Sequence, residues 1–118
     1  MATIDLRDDN FAETTRAADI ALVDFWASWC GPCLGFAPVF EEASNRHGDV
    51  LFGKLNIETE EAISANYQIQ AIPTLMAFKQ GKLIFRQAGL FMGFELDDLI
   101  KDLRALDLNA LAEGDNPA

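Results

Sequence analysis

The chain reads as an α/β protein with one central, mixed, five-stranded sheet flanked by four helices, in the order β-α-β-α-β-α-β-β-α. Three observations predict this. Strand-like apolar runs alternate with helical periodicities, which gives parallel pairing through right-handed crossovers. Two later strand-like runs, Thr74–Phe78 and Leu83–Gln87, are joined by Lys79-Gln80-Gly81-Lys82, which reads as a hairpin. The run Ile20–Trp26 is apolar at nearly every position, as a central parallel strand covered on both faces should be. Helices must then lie on both faces of the sheet.

Taken in order, Thr3-Ile4-Asp5-Leu6 alternates weakly and fits a short edge strand. Asn10 with Glu13 resembles a capping box opening a helix over about 11–18. After Ile20–Trp26 a helix should run from Pro32 to about His47, with Cys33, Phe36, Ala37, Phe40 and Ala43 on its buried face. Pro38 should kink it and Gly48 should end it. Val50–Ile57 is the next strand, and Thr59 can cap a short helix through about Tyr67. A last helix presents Leu96, Leu99, Ile100, Leu103 and Leu106 on one face. The 118 residues allow one domain, read as 1–109, and the tail 110–118 reads as frayed.

Half the residues are hydrophobic, enough for a real core. A formal net charge of −10 argues against nucleic acid and anionic membrane as partners. No apolar run approaches the length of a membrane span. Met1–Asp9 has no basic segment followed by an apolar one, so it does not read as a secretory signal. A cytoplasmic, reducing setting is the expectation, and there a lone C-x-x-C pair is more often catalytic than structural.

The chemistry centres on Trp29-Cys30-Gly31-Pro32-Cys33, which holds the only two cysteines. A disulfide closing so small a loop would stabilise little by restricting the unfolded chain, so a dithiol that makes and breaks its bond is the better reading. Pro32 suits the first turn of a helix. That puts Cys30 at the helix N-terminus, where unpaired N–H groups and the positive dipole end favour a thiolate. Cys30 is then the nucleophile, and Cys33, on the buried face, is the less exposed, resolving thiol. Zinc would need four ligands, and His47, read as a helix-end surface residue, is the only histidine, so no metal and no other cofactor is expected. Asp24 breaks the most apolar strand. A buried carboxylate there would titrate high, as a general base for Cys33 requires, though an Asp turned to a hydrated crevice fits the strand equally well.

The stretch from Asp24 to Cys33, with Ile72-Pro73-Thr74 and Gly89, closely resembles the thioredoxin family over roughly residues 3–107. The resemblance implies the thioredoxin fold and a protein-disulfide reductase working by dithiol–disulfide exchange. It implies that Asp24 is the family's buried base and that Lys54 is the lysine whose ammonium lies near it. It implies a cis Pro73 facing the cysteines. Backbone at Ile72 could pair with an extended client segment. Trp29, Gly31, Pro32, Ile72, Pro73, Gly89, Leu90 and Phe91 would line that groove, and Trp26 would serve the core or the site wall. The implied partners are a thioredoxin reductase and disulfide-containing client proteins, with a monomer as the default state. A dedicated reductant for one client enzyme, or a binding subunit that uses only the fold, are the alternatives.

The chain departs from the family in two places. Leu34 stands where members usually carry Lys or Arg, followed by Gly35, and Leu90-Phe91-Met92 replaces Ala and polar residues after Gly89. Leu34, Leu90, Phe91 and Met92, if exposed together, would form an apolar docking patch beside the thiols. Burial of Phe91 is the competing expectation.

Overall fold

A computed structural model describes residues 2–109. The expected tail, 110–118, lies outside them. The elements are β1 (Thr3–Asp5), α1 (Phe11–Ala17), β2 (Ile20–Trp26), α2 (Gly31–Arg46), β3 (Leu51–Asn56), α3 (Glu61–Asn66), β4 (Thr74–Lys79), β5 (Lys82–Ala88) and α4 (Gly93–Ala105). They form one five-stranded sheet in the order β1-β3-β2-β4-β5. β3 runs parallel to both β1 and β2, while β4 is antiparallel to β2 and to β5. The expected fold class is therefore the observed one. One detail differs: β2 is central and fully covered, but it has a parallel neighbour on one side only. Its apolar run reports burial on two faces, and burial does not depend on the direction of the neighbours.

Side-chain alternation along β2 splits the core in two. Ile20 and Leu22 face one layer with Phe36, Phe40, Phe52, Leu96 and Ile100, beneath α2 and α4. Ala21, Val23 and Phe25 face the other with Leu6, Phe11, Leu55 and Phe78, where Tyr67 and Ile63 close the layer. Each large apolar side chain removed from water contributes on the order of 1.5–3 kcal/mol, and both layers contain several. The hairpin between β4 and β5 turns through Gln80 at φ 51 and Gly81 at φ 82, two left-handed residues in succession. Gly adopts that conformation without a steric penalty, and the turn matches the twist of its strands.

The helix caps differ from those expected. Asn10 does not cap α1; its side-chain oxygen accepts from the Arg7 N–H at 2.7 Å. Thr59 does not cap α3 either. The N–H groups of Ala62 and Ile63 donate to the Asp8 carboxylate at 3.2 and 2.9 Å, and the Asp8 N–H donates to Glu60 Oε1 at 2.8 Å. This is the reciprocal arrangement of a capping box, assembled from two distant parts of the chain. α2 continues through Pro38 and ends at Arg46, just before Gly48.

The topology places the site. Because β4 runs antiparallel to β2, with Phe25 opposite Thr74, the C-terminal end of β2 meets the N-terminal end of β4. The cysteine turn follows the former and Ile72-Pro73 precedes the latter. β5 returns to the same end, with Ala88 opposite Thr74.

Candidate functional site

Cys30 is the N-cap of α2, and its backbone is extended rather than helical. Cys33 completes the first turn, which brings the two sulfurs to bonding distance as a disulfide with Cα atoms 5.2 Å apart. The Cys33 backbone N–H donates to Cys30 Sγ at 3.1 Å. One otherwise unpaired donor of the helix start is thus aimed at the sulfur that sequence reasoning assigned as the nucleophile. Such a donor, with the positive end of the helix dipole, favours a thiolate. Cys30 and Cys33 are both buried, at 4 % and 2 % exposure, so the expected difference in access is slight in the disulfide form. Around them pack Ala27, Trp26, Ile57 and Ile72.

The Ile72–Pro73 peptide bond is cis, and the Ile72 carbonyl oxygen lies 3.8 Å from Cys30 Sγ. The Gly89 N–H donates to the Pro73 carbonyl at 2.9 Å. Gly89 does this at φ +117, where a side chain would be strained, so a glycine is required at this end of β5. Trp29, Gly31 and Pro32 are exposed on the turn, Leu90 is exposed beyond Gly89, and Pro73 is buried.

Asp24 is completely buried, and neither carboxylate oxygen has a hydrogen-bond partner among the described residues. By alternation it shares a sheet face with Leu22, the face that α2 covers. Burial pushes its carboxyl up to about 7, and the Lys54 ammonium pulls it partly back. Lys54 stands opposite Asp24 in the β2–β3 register. It makes no ion pair with Asp24: its Nζ sits over the Trp26 ring, 4.9 Å from the centroid. Lys54 and Trp26 also line an open cavity of about 270 Å³ with Asp5, Arg7 and Asn56, which Asp24 does not reach.

The apolar residues around the groove divide. Leu34, Leu90 and Met92 are exposed, at 56 %, 61 % and 63 %. Phe91 is not part of that surface. It is half-buried, with its ring 6.3 Å from Phe36 and 6.1 Å from Phe85, and it anchors the segment before α4 to the core. Phe94, which sequence reasoning did not single out, is exposed instead. Glu58 was also missed. Its carboxylate accepts from both the Ser28 N–H and the Ser28 hydroxyl, at 2.9 and 2.8 Å, tying the cysteine turn to the loop after β3. Those bonds hold the Glu58 carboxyl below its usual range. His47 lies away from this end of the fold, half-buried and paired with Asp97 at 2.7 Å. Among the described residues no group of three or more His, Cys, Asp or Glu could hold a metal ion, and no helix is long and apolar enough to cross a membrane.

Comparison with known proteins matches this arrangement to one family. The thioredoxin family model matches residues 2–104. A thioredoxin of Alicyclobacillus acidocaldarius is 38 % identical over 103 residues, 86 % of this chain and 98 % of that protein. A thioredoxin of Mycobacterium bovis is 43 % identical over 90 residues, 75 % of this chain and 78 % of that protein. A solved structure of a mutant thioredoxin from Halobacterium salinarum superposes with a TM-score of 0.82 at 28 % identity, covering 89 % of this chain and 93 % of that one. On the family match over most of its length, and with its two cysteines joined at the start of α2, the chain belongs to the thioredoxin family and is a thiol–disulfide oxidoreductase.

Proposed function

We propose that this chain is a general reductant of protein disulfides in the cytoplasm, with Cys30 as the attacking thiol. The observation that carries the assignment is the Cys33 N–H donated to Cys30 Sγ at the helix start, because it stabilises negative charge on that one sulfur. In the reduced protein the Cys30 thiolate attacks one sulfur of a client disulfide. A mixed disulfide forms, and the client's other sulfur leaves as a thiolate that takes a proton from water. Asp24 accepts the Cys33 proton, directly or through water, and the Cys33 thiolate attacks Cys30 Sγ. The Cys30–Cys33 bond forms, the mixed disulfide breaks, and the client's second sulfur leaves as a thiolate. Solvent protonates that thiolate while Asp24 returns its proton to solvent, and the client departs with both sulfurs reduced. Two electrons have passed to the client.

The Asp24 carboxyl suits this role because it titrates at about 7 and is therefore poised between acid and base at neutral pH. Lys54, beside it and free of an ion pair with it, tunes that poise. The groove formed by Trp29, Gly31, Pro32, Ile72, Pro73, Gly89 and Leu90 binds an extended client segment, with the Ile72 backbone as the pairing edge. Exposure of Leu34, Leu90 and Met92 supports an apolar contribution to docking, to which Phe91 adds only by support from beneath. The reductant that recharges the disulfide is a thioredoxin reductase, by family resemblance, and the chain acts as a monomer.

The test is reduction of insulin by dithiothreitol, with and without the protein. Acceleration that disappears in Cys30→Ser is the expected result. A binding subunit would give no acceleration and would retain its function after Cys30→Ser.

A further inference from the structure

We propose that Arg86 is a positioning residue for client binding: it fixes the segment 67–73, and through it the Ile72 backbone that faces the cysteines. The proposal rests on the reading of that backbone as the client-pairing edge.

This segment links α3 to β4 and contains no helix or strand. It leaves α3 through Gln68 at φ 53, and its first three N–H groups, of Tyr67, Gln68 and Ile69, donate back to the carbonyls of Ile63, Ala65 and Ser64 at 3.0 Å each. The Thr74 hydroxyl, at the start of β4, donates to the segment's Ala71 carbonyl, and the Tyr67, Ile69 and Ile72 side chains pack on the core; two further ties come from β5. At its end, the Gly89 N–H holds the Pro73 carbonyl. At its start, the Arg86 guanidinium donates through Nη1 to the Tyr67 carbonyl and through Nη2 to the Gln68 carbonyl, the latter at 3.0 Å. These carbonyls stand at the C-terminal end of α3, which carries partial negative charge, so a cation there is favoured. A planar guanidinium offers two donors in a fixed fork, and a lysine cannot match both acceptors at once.

Arg86 is opposite Met76 in the β4–β5 register, so its backbone is fixed by the sheet. β5 therefore gauges the segment at two points three residues apart in its own sequence. Between those points lies Ile72, whose carbonyl oxygen is 3.8 Å from Cys30 Sγ. A displacement of about 1 Å in a group that presents a substrate can change rates by orders of magnitude. Releasing the start of the segment moves the client edge relative to the sulfur and leaves the sulfur and its N–H donor unchanged. The expected defect is therefore in client binding, with the intrinsic reactivity of Cys30 preserved.

The experiment compares wild type, Arg86→Gln and Arg86→Lys on insulin and on a small aromatic disulfide, which has no backbone to pair with Ile72. For Arg86→Gln the KM for insulin should rise roughly five- to tenfold with kcat within about twofold, and the small disulfide should react within about twofold of wild type. Amide exchange should quicken at Gln68 and Ile69 and stay unchanged in α2. Arg86→Lys should recover part of the KM. An unchanged KM for insulin, or an equal fall on both substrates, overturns the proposal. If Arg86→Gln does not fold, Arg86→Lys decides: a KM rise confined to insulin supports the proposal, and no change or equal loss on both substrates overturns it. A different pattern marks failure of the underlying reading. Wild type would then reduce the small disulfide and leave insulin untouched, and this proposal would fall with it.

Discussion

Two ionisable side chains are buried in the sheet, one at each end, and they are treated in opposite ways. Lys79, at the far end of β4, is 7 % exposed, and its ammonium donates to the carbonyls of Leu103, Arg104 and Leu106 at 2.6, 3.4 and 2.8 Å. It closes the C-terminal end of α4, where orphan carbonyls and the negative dipole end both favour a cation. Asp24, toward the active end of β2, has no hydrogen-bond partner among the described residues, and a buried carboxylate without partners is held close to neutrality. A buried charge that is fully satisfied locks the fold. One left unsatisfied lowers stability in its ionised form and keeps a proton available to be moved. If Asp24 has the proposed role, the distinction between structural and chemical burial is a count of partners, and the depth of burial does not make it.

Replacing Asp24 with Asn tests the chemical side and should give the largest effect. Folded Asp24 titrates near 7 while the unfolded carboxyl titrates near 3.8. Below about pH 4 both states hold the proton. Between the two values only the folded state holds it, so stability falls as pH rises, by about 4 kcal/mol in all, and levels off above pH 7. Asp24→Asn should lack this fall, so denaturant titrations at pH 4 and pH 8 should show it gaining on wild type only at the higher pH. Turnover on insulin at neutral pH should drop at least roughly tenfold. A variant with unchanged turnover would make Asp24 another structural residue and dissolve the contrast.

Lys79→Met tests the structural side. The methionine keeps most of the apolar stem but leaves the α4 carbonyls without their donor, at a cost of roughly 2–4 kcal/mol in stability. The rate of exchange with a small disulfide should stay within about twofold of wild type. A rate loss without a stability loss would reverse the assignment.

Glu58→Gln should have the smallest effect, since Glu58 is exposed and an amide oxygen can still accept from Ser28. Removing its negative charge from the cysteine turn should move the pH profile of Cys30 alkylation slightly downward. An upward shift would mean that the Ser28 tether, rather than the charge, governs the turn.

Legibility in the sequence follows the same contrast. Asp24 stood out because a charge inside an apolar strand violates a local pattern. Lys79 did not, because a lysine beside a hairpin looks like any surface lysine, and its acceptors lie 24 to 27 residues away. Arg86 and Glu58 were hidden for the same reason, since their partners are 18 to 30 residues distant. The strands, helices and hairpin were readable because periodicity and turn chemistry are local. The capping of α3 was misread as a local matter for Thr59 when its acceptor is Asp8. Phe91 was read as a groove residue with burial as the competing expectation, and burial is the outcome: its ring packs on Phe36, distant in the sequence, and on Phe85 in the strand just before it.

The Asp8 clasp has a consequence for how the protein can be handled. α3 has six residues and is too short to persist unaided. Its first-turn donors depend on a carboxylate that precedes every helix of the chain. Trimming or fusing the N-terminal segment through Asp8 should therefore be felt more than 50 residues away, in the stretch from α3 to Pro73. Such a protein would keep its reactive cysteine turn while losing selectivity for what the turn attacks. Protease cuts between Asn66 and Pro73, absent from the intact chain and present after trimming, would be the visible mark of that loss.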